Sequence, residues 1–438
     1  MGASADVKCW AWQIGPKLLT LSDMIGHYEI NPDTLDTVGR CAPPNPFNPL
    51  FAAAVAAVHW RIGSSVSRGR CQSIHHGVHV CACRFYYADE TPTKPLNLTE
   101  KFEIITCAHP SQLPGDKYVY NYLLEIMGNM PKVGAMHMYR MYRVDTTVLP
   151  LRREVVFSMP VDVPAYMHQF AHTPNYIVYF EYSLHWNVMQ IATALNILPH
   201  MVWSNNSTRV VVIDKRTWTV TNTFYTDAVF GYHLINSYED GDAVVVDIML
   251  SECNGAAGQP GGASCNDMNK FNLATLKNDS WPMPKGKMVR YNVPVGKSTE
   301  ALTYKVMNQY GMDLLAIHPK LKGYKHRYVW SLATHGDGVW WNNIIKIDME
   351  TLATIEWYKE DHYPSEVSFF PRPGATDEDD GVLVSTVLGA PLGRSYLLIL
   401  DAKTLTEIAT ADAPHYLPFP SHGHSCAPID GEQMCWWA

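Results

Sequence analysis

A short turn phrase that recurs along the chain constrains the fold more than any other feature of the sequence. Its four copies are INPDTL at residues 30–35, IDKRTW at 213–218, IDMETL at 347–352 and LDAKTL at 400–405. The Asp or Asn side chain can accept a backbone hydrogen bond two residues further on and close a turn, and the Thr favours the strand that follows. Three copies follow apolar runs (RVVVI, NNIIKI and YLLIL). The phrase therefore predicts a β-hairpin, used at least four times.

The spacing of these copies favours a β-propeller. The last two begin at residues 347 and 400, a separation of 53 residues, which is near the length of one four-stranded blade. The longer gaps before them, 183 and 134 residues, would hold further blades and insertions. Turns of this kind also occur in β-sandwiches, but the repetition and the scarcity of long helical patterns favour the propeller. Residues 187–197 are the one clear helical candidate.

Composition excludes several classes of protein. The 438 residues include 47% hydrophobic and 17% charged residues, which is ample material for a core, and the formal net charge is −8. Mild acidity argues against a nucleic-acid partner, because binding phosphates needs a basic surface. Residues 51–58 are the longest run of small apolar residues, far short of the roughly 20 that a spanning helix needs. Without a secretory signal, the ten cysteines are expected to be reduced, in a cytoplasmic protein.

Residues 38 to about 100 differ from the rest of the chain. They are rich in Pro and Ala, then basic and rich in Ser, without strand alternation, and we interpret them as an atypical insertion. Cysteines and histidines cluster inside it at Cys71, His75, His76, His79, Cys81 and Cys83. These residue types suit zinc, but their spacing fits no standard finger. We therefore expect a solvated loop rather than a metal site.

Isolated histidines stand at the ends of strand-like segments far apart in the chain. They are His109 in CAHP, His168 in YMHQF, His233 in GYHLIN and His422 in PSHGH. One histidine from each of four blades, directed along the propeller axis, would bring four imidazoles onto one metal ion. Each could equally be a core histidine that donates to a backbone carbonyl. The residues alone leave both interpretations open.

Six segments resemble, in the family's order, the carotenoid cleavage oxygenases, and most closely the animal-type branch of carotene oxygenases and the retinoid isomerase of the retinal pigment epithelium. They are LLTLSDMIGHYEINPDTLDTVGR, ITCAHPSQLPGDKYVYNY, YMHQFAHTPNYIVYFE, YHLINSYEDGDAVVVDIML, YPSEVSFFPRPGATDEDDGVLVSTVLG and SYLLILDAKTLTEIATADAPHYLPFPSHGH. The likeness covers most of residues 12–37 and 100–430. It implies an all-β, seven-bladed propeller with a cap of helices and loops around an apolar tunnel. We expect a single domain over residues 1–438, with an N-terminal part that is incomplete relative to the family.

The resemblance also implies a ferrous iron site. The implied ligands are His109, His168, His233 and His422. Three nearby histidines do not match the ligand positions of the family and are expected to be ordinary polar residues: His172, His185 and His424. Family carboxylates that hold the outer nitrogens of the ligands correspond to Asp23 and Glu366. The remaining carboxylate position falls on Ile317, which predicts that His233 has no carboxylate partner.

The implied function is an iron-dependent oxygenase that uses O₂ to cleave a conjugated double bond of a carotenoid or apocarotenoid, giving aldehyde or ketone products. Retinoid isomerohydrolase chemistry, with iron as a Lewis acid on an ester, is a close alternative. A catalytically impaired homologue that binds a carotenoid without turnover is another. A propeller that serves only as an interaction platform is disfavoured, because such a platform has no use for four axial imidazoles. The oligomeric state and the identity of the substrate stay open.

The insolubility of carotenoids predicts a peripheral attachment to membranes. Residues 187–197 are the best candidate for an interfacial helix, and residues 51–58 are a weaker one. A cap helix packed on the core is the alternative interpretation of residues 187–197. If the helix contacts the bilayer, Ile191→Glu with Leu195→Glu should release the protein from liposomes and lower turnover of membrane-borne carotenoid. Turnover of detergent-solubilised substrate should be spared; unchanged liposome binding would exclude this helix as the membrane contact.

Overall fold

The computed structural model describes residues 10–14, 17–21, 28–30, 37–40, 102–126, 137–149, 151–187, 201–204, 206–251, 286–296, 298, 301–336, 340–414, 417, 422, 424–429 and 432–437. Within these ranges the regular structure is β-strand apart from a 3₁₀ turn at Pro319–Leu321, so the predicted all-β class is confirmed. None of the described residues forms a helix with the length and apolarity that crossing a membrane would require.

The first part of the chain forms three four-stranded antiparallel sheets and a hairpin. Sheet 1 contains β1 (Trp10–Ile14), β2 (Lys17–Leu21), β3 (Tyr28–Ile30) and β4 (Thr37–Arg40). Sheet 2 contains β5 (Phe102–Thr106), β6 (Tyr118–Ile126), β7 (His137–Asp145) and β8 (Arg153–Val161). Sheet 3 contains β9 (Ala171–His172), β10 (Tyr176–Glu181), β13 (Thr208–Asp214) and β14 (Thr219–Thr226), and the separate hairpin contains β11 (Leu184–Trp186) and β12 (Met201–Trp203).

The second part repeats the arrangement. Sheet 4 contains β15 (Leu234–Asp240), β16 (Ala243–Leu250), β17 (Lys287–Pro294) and β18 (Tyr304–Asn308). Sheet 5 contains β19 (Asp313–Ala316), β20 (Tyr328–Ala333), β21 (Asn343–Asp348) and β22 (Thr354–Tyr358). Sheet 6 contains β23 (His362–Pro364), β24 (Ser368–Pro371), β25 (Gly381–Gly389), β26 (Arg394–Asp401) and β27 (Glu407–Asp412). The last hairpin contains β28 (His424–Ile429) and β29 (Glu432–Trp437).

Three copies of the turn phrase lie at hairpins, as predicted. In the turn between β21 and β22, Asp348 Oδ1 accepts the backbone N–H of Glu350 at 2.9 Å. In that turn the N–H of Leu352 donates to the carbonyl of Asp348 at 2.7 Å, and Leu352 is left-handed, with φ of 62°. The turns after β13 and β26 repeat this geometry, ending at Trp218 and Leu405 with φ of 53° and 57°. Residues 31–35 of the first copy lie outside the described residues, and its Ile30 ends β3.

Burial differs between the strands of sheets 3, 4 and 6. The middle strands β13 and β16 are buried along nearly their whole length, whereas the last strand of sheet 6, β27, is exposed at every position. A strand buried on both faces must lie between two neighbouring layers, which explains the unbroken apolar runs RVVVI and AVVVDIML. The apolar core is therefore formed where the faces of adjacent sheets meet.

Several predictions concern residues outside the described part of the chain. They include the insertion beyond Arg40, with its Cys and His cluster, the carboxylate Asp23, and the proposed helix beyond Asn187. These stay predictions.

Close packing between strands leaves no room for a side chain at Gly381, the first residue of β25. A Cβ atom there would lie 2.3 Å from the carbonyl oxygen of Phe370 and 2.9 Å from the ring of Phe369. We expect Gly381→Ala to destabilise the protein by about 1–3 kcal/mol, the usual cost of overpacking. Gly296→Ala is the control, because its Cβ meets open space. Denaturant unfolding of the two variants measures the difference, and equal midpoints would contradict the account.

Candidate metal centre

Four histidines from different sheets and hairpins approach one another in the interior. His109 follows β5, His168 precedes β9, His233 directly precedes β15, and His422 precedes β28. Each one therefore stands next to a strand of its own unit rather than inside a helix. The architecture brings together residues that are up to 313 positions apart (109 to 422) in the sequence.

Local sequence explains how two of these segments are shaped. Pro110 follows His109, and a residue before proline is restricted to extended conformations. Gly231 stands two residues before His233, where a Cβ atom would lie 2.4 Å from the carbonyl oxygen of Met249. Glycine therefore allows the His233 segment to pass close to β16.

The four rings form a compact cluster. One ligand atom from each histidine can be chosen so that all four lie within 4.8 Å of one another. The centroid of the His109 ring lies 4.7, 5.1 and 4.8 Å from those of His168, His233 and His422. The side chains are almost completely buried, with 3% of the His422 side chain exposed.

Acceptors on the outside of the cluster fix the protons of two rings. The Nδ1–H of His233 donates to Asp313 Oδ1 at 2.7 Å, and that of His422 donates to Glu366 Oε1 at 2.9 Å. Because a carboxylate accepts the proton at Nδ1, the Nε2 lone pair of each neutral ring points toward the cluster. Glu366 therefore occupies the place predicted for it.

The donor set fits a divalent metal ion. The Nε2 atoms of His109 and His168 are 3.0 Å apart, and two nitrogens bound at right angles with bonds of about 2.1 Å would be separated by about 3.0 Å. His233 Nε2 is buried and has no hydrogen-bond partner among the described residues, which is costly unless something else uses its lone pair. Burial, followed by the neighbouring imidazoles, holds the pKa of His109 well below its usual value. The ring is therefore neutral, the form that binds metals.

The prediction that His233 has no carboxylate partner is wrong. The partner is Asp313, four residues before Ile317, the position to which the missing carboxylate was assigned. A β-bulge shifts the register between Asp313 and Leu315, and Leu314 has a φ of 53°. The bulge leaves Asp313 Oδ1 able to accept from both His233 and the N–H of Leu314. Ile317 packs against an apolar cluster instead.

Other histidines near the motifs have ordinary polar contacts. His172 Nδ1 lies 3.0 Å from Ser111 Oγ, and its Nε2 lies 2.8 Å from Lys215 Nζ. His185 Nε2 lies 3.2 Å from Ser204 Oγ. The backbone of His424 belongs to β28. His172 and His185 stay out of the cluster, as predicted.

Sequence reasoning missed Tyr166, whose hydroxyl lies 2.8 Å from His168 Nδ1. The two residues are separated by one position, a spacing that puts side chains on the same face wherever the chain is extended. That spacing of two was the available signal. Tyr166 therefore gives His168 a hydrogen-bond partner on the outer nitrogen.

The fold and the cluster together define the class: an all-β protein with four buried histidines from separate sheets around one centre. Residues 11–424 match the family described as retinal pigment epithelial membrane protein, and the chain belongs to that family. This confirms the resemblance to the carotenoid cleavage oxygenases.

Individual relatives agree with this membership. The human beta,beta-carotene 15,15'-dioxygenase is 31% identical over 290 residues, which cover 59% of this chain and 52% of the human protein. The mouse protein of that name is 26% identical over 457 residues, covering 93% of this chain and 78% of the relative. The chain thus spans about half the length of the human relative. A cobalt-substituted Synechocystis apocarotenoid oxygenase has the same fold, with a TM-score of 0.67, 18% identity, and coverage of 98% of this chain and 73% of that protein.

Removal of the Asp313 charge tests its role at the cluster. Asp313→Asn should lower the affinity for a divalent metal about 10–100-fold, because an amide is a weaker acceptor for the N–H of His233. Isothermal titration of the metal-free protein with Co²⁺ measures this. Asp162→Asn, at an exposed position, is the matched control and should bind Co²⁺ like the wild type.

Ile317→Glu separates the two assignments of the carboxylate. It should destabilise the protein without raising Co²⁺ affinity, because it places a charge in an apolar cluster. Tighter Co²⁺ binding by Ile317→Glu, or unchanged binding by Asp313→Asn, would contradict the assignment of Asp313.

Proposed function

We propose that the protein is a ferrous-iron-dependent oxygenase that cleaves a conjugated double bond of a carotenoid or apocarotenoid with O₂. The observation that carries this proposal is the convergence of four buried histidines, two of which donate to carboxylates on the outside of the cluster. Family membership and the names of the relatives support the substrate class and the reaction. One O₂ molecule per double bond supplies the oxygen atoms of two carbonyl products.

The six sheets and the last hairpin are proposed to be the blades of a single seven-bladed propeller over residues 1–438. Five sheets have four strands and one has five, the size range of propeller blades. The hairpin β28–β29 would provide the seventh blade, since β28 lies against both β1 and β24. This arrangement would direct the four histidines along one axis. The similarity of the fold to that of the Synechocystis apocarotenoid oxygenase supports the proposed propeller.

Iron would be held by His109, His168, His233 and His422. Ferrous iron bound there would supply a positively charged, redox-active centre for the reaction of dioxygen with the substrate. The protein's own groups would keep the ligands neutral and oriented. Glu366 and Asp313 hold the outer protons of His422 and His233.

Carboxylates beside the ligands also balance charge. Four neutral imidazoles leave the charge of a divalent ion uncompensated, and burial makes such a charge expensive. Asp313 and Glu366 would offset it from outside the ligand sphere. Asp23 is proposed for the same role, by analogy with the family.

The proposed substrate also bears on location. A carotenoid must be taken from a bilayer or a carrier, so we propose a cytoplasmic protein that attaches to the membrane surface. The apolar residues 187–197 are the proposed contact.

Product analysis tests the proposed reaction. The protein reconstituted with Fe²⁺ should convert β-carotene or an apocarotenal, with consumption of O₂ and formation of two carbonyl products, detected by chromatography. His233→Ala should abolish turnover, because it removes one ligand of four. His335→Ala is the control, since 42% of that side chain is exposed and its ring contacts Glu356 of β22 rather than a histidine of the cluster.

The other candidates give different results in the same assay. Hydrolysis and isomerisation of a retinyl ester without O₂ uptake would indicate isomerohydrolase chemistry. Retention of carotenoid without any product would indicate a binding protein. Full turnover by His233→Ala would contradict the assignment of the metal centre.

A further inference from the structure

Three side chains, two in sheet 2 and one directly after its strand β5, hold the backbone of the segment that carries His168. Tyr139 Oη accepts the N–H of Ala165 at 2.7 Å and lies 3.3 Å from its carbonyl oxygen. The Tyr122 hydroxyl donates to the carbonyl of Met167. The Cys107 thiol donates to the carbonyl of His168 at 2.9 Å. We call Cys107, Tyr122 and Tyr139 the sheet 2 clamp.

The segment that the clamp holds is not part of a regular ladder. Residues 166–170 lie between the isolated bridge at Ala165 and the start of β9. Their backbone groups therefore cannot all be satisfied by neighbouring strands, and buried backbone groups need partners. The clamp supplies partners from side chains of the adjacent sheet. It thereby decides where the His168 backbone lies relative to sheet 2.

Strand β5 of sheet 2 also leads directly to His109, whose Nε2 lies 3.0 Å from that of His168. The backbone N–H of His109 donates to Cys107 Sγ at 3.3 Å. One sulfur atom thus contacts the backbones of both His109 and His168. Asn121 fixes Cys107 in turn, because its Nδ2 donates to the Cys107 carbonyl at 2.8 Å.

Burial and ring packing restrict the motion of the three clamp side chains. Cys107, Tyr122 and Tyr139 are buried, with exposed fractions of 0%, 1% and 0%. Burial raises the pKa of Tyr139 well above its usual value, so its hydroxyl keeps its proton. The Tyr122 and Tyr139 rings pack edge to face with centroids 5.9 Å apart, which restricts their rotation.

We propose that the sheet 2 clamp positions His168 relative to His109 and so sets the nitrogen separation that a metal requires. The pair's Nε2 atoms are 3.0 Å apart, and a metal site loses affinity when its ligands are held less accurately. This proposal rests on the proposed metal centre. It assigns a positioning role to three residues whose side chains hydrogen-bond to the backbone of the segment that carries His168.

Two tyrosine variants test the clamp with minimal disturbance. Tyr122→Phe removes one hydroxyl and its bond to Met167. Tyr179→Phe is the matched control: Tyr179 is also fully buried, its ring lies 5.8 Å from that of Tyr122, and its hydroxyl has no hydrogen-bond partner within the described structure. Metal-free protein is titrated with Co²⁺, whose absorption bands report both affinity and coordination geometry.

We expect Tyr122→Phe to lower Co²⁺ affinity about tenfold and to shift the cobalt bands, in the range seen for residues that orient metal ligands. Tyr179→Phe should bind as the wild type does. Cys107→Ala should weaken binding at least as much as Tyr122→Phe, and Cys107→Ser should restore part of the loss, because a hydroxyl can both donate and accept. Thermal unfolding of each variant shows that the protein is folded before titration.

Wild-type Co²⁺ affinity and bands in both Tyr122→Phe and Cys107→Ala would overturn the proposal. If Cys107→Ala does not fold, Tyr122→Phe and Tyr139→Phe decide the question, since each removes a single oxygen atom. His233→Ala separates this result from failure of the proposed function. Co²⁺ binding that depends on His233 but not on the clamp overturns the clamp alone, whereas absence of Co²⁺ binding in the wild type overturns the metal centre and the clamp with it.

Discussion

The approach of four imidazole rings in a buried space is the constraint on which the rest of the site depends. Burial, together with neighbouring rings that would repel a second positive charge, holds the pKa of His109 well below its usual value. A neutral ring carries one proton, and that proton must point outward if the inner nitrogen is to bind a metal. Acceptors are therefore needed behind the rings, and Asp313 and Glu366 supply them for two.

These acceptors lie far from the histidines in sequence. Asp313 begins β19 in sheet 5 and serves a histidine at the start of sheet 4, while Glu366 in sheet 6 serves His422 before the last hairpin. The rings of His233 and His422 are thus oriented by residues of another sheet. The same relation holds between sheets 2 and 3, where Cys107 contacts the backbone of His168. The orientation of these histidines therefore depends on how the sheets pack, because a shift of one sheet moves the acceptor away from its histidine.

Much of this could be predicted because it is local. The turn phrase specifies its own hydrogen bond, in which Asp348 accepts the backbone N–H two residues on, and the strands around it follow from apolar runs. The partner of His233 could not be predicted in this way. Matching the motif by position puts the carboxylate at Ile317, whereas the residue that contacts His233 is Asp313, at the start of a strand with a bulge at Leu314.

The sequence by itself determined the all-β class, the repeated hairpins and which four histidines form the cluster. The first two depend on short-range chemistry, and the histidines were selected by motifs that occur in the same order as in the family. Only the tertiary structure decided which nitrogen of each ring faces the centre, how far apart His109 and His168 lie, and which acid stands behind His233. These are distances between atoms on different sheets. They are set by bulges, by side chains that reach across sheet boundaries and by the packing of whole strands, and none of these has a signature in the spacing of residues along the chain.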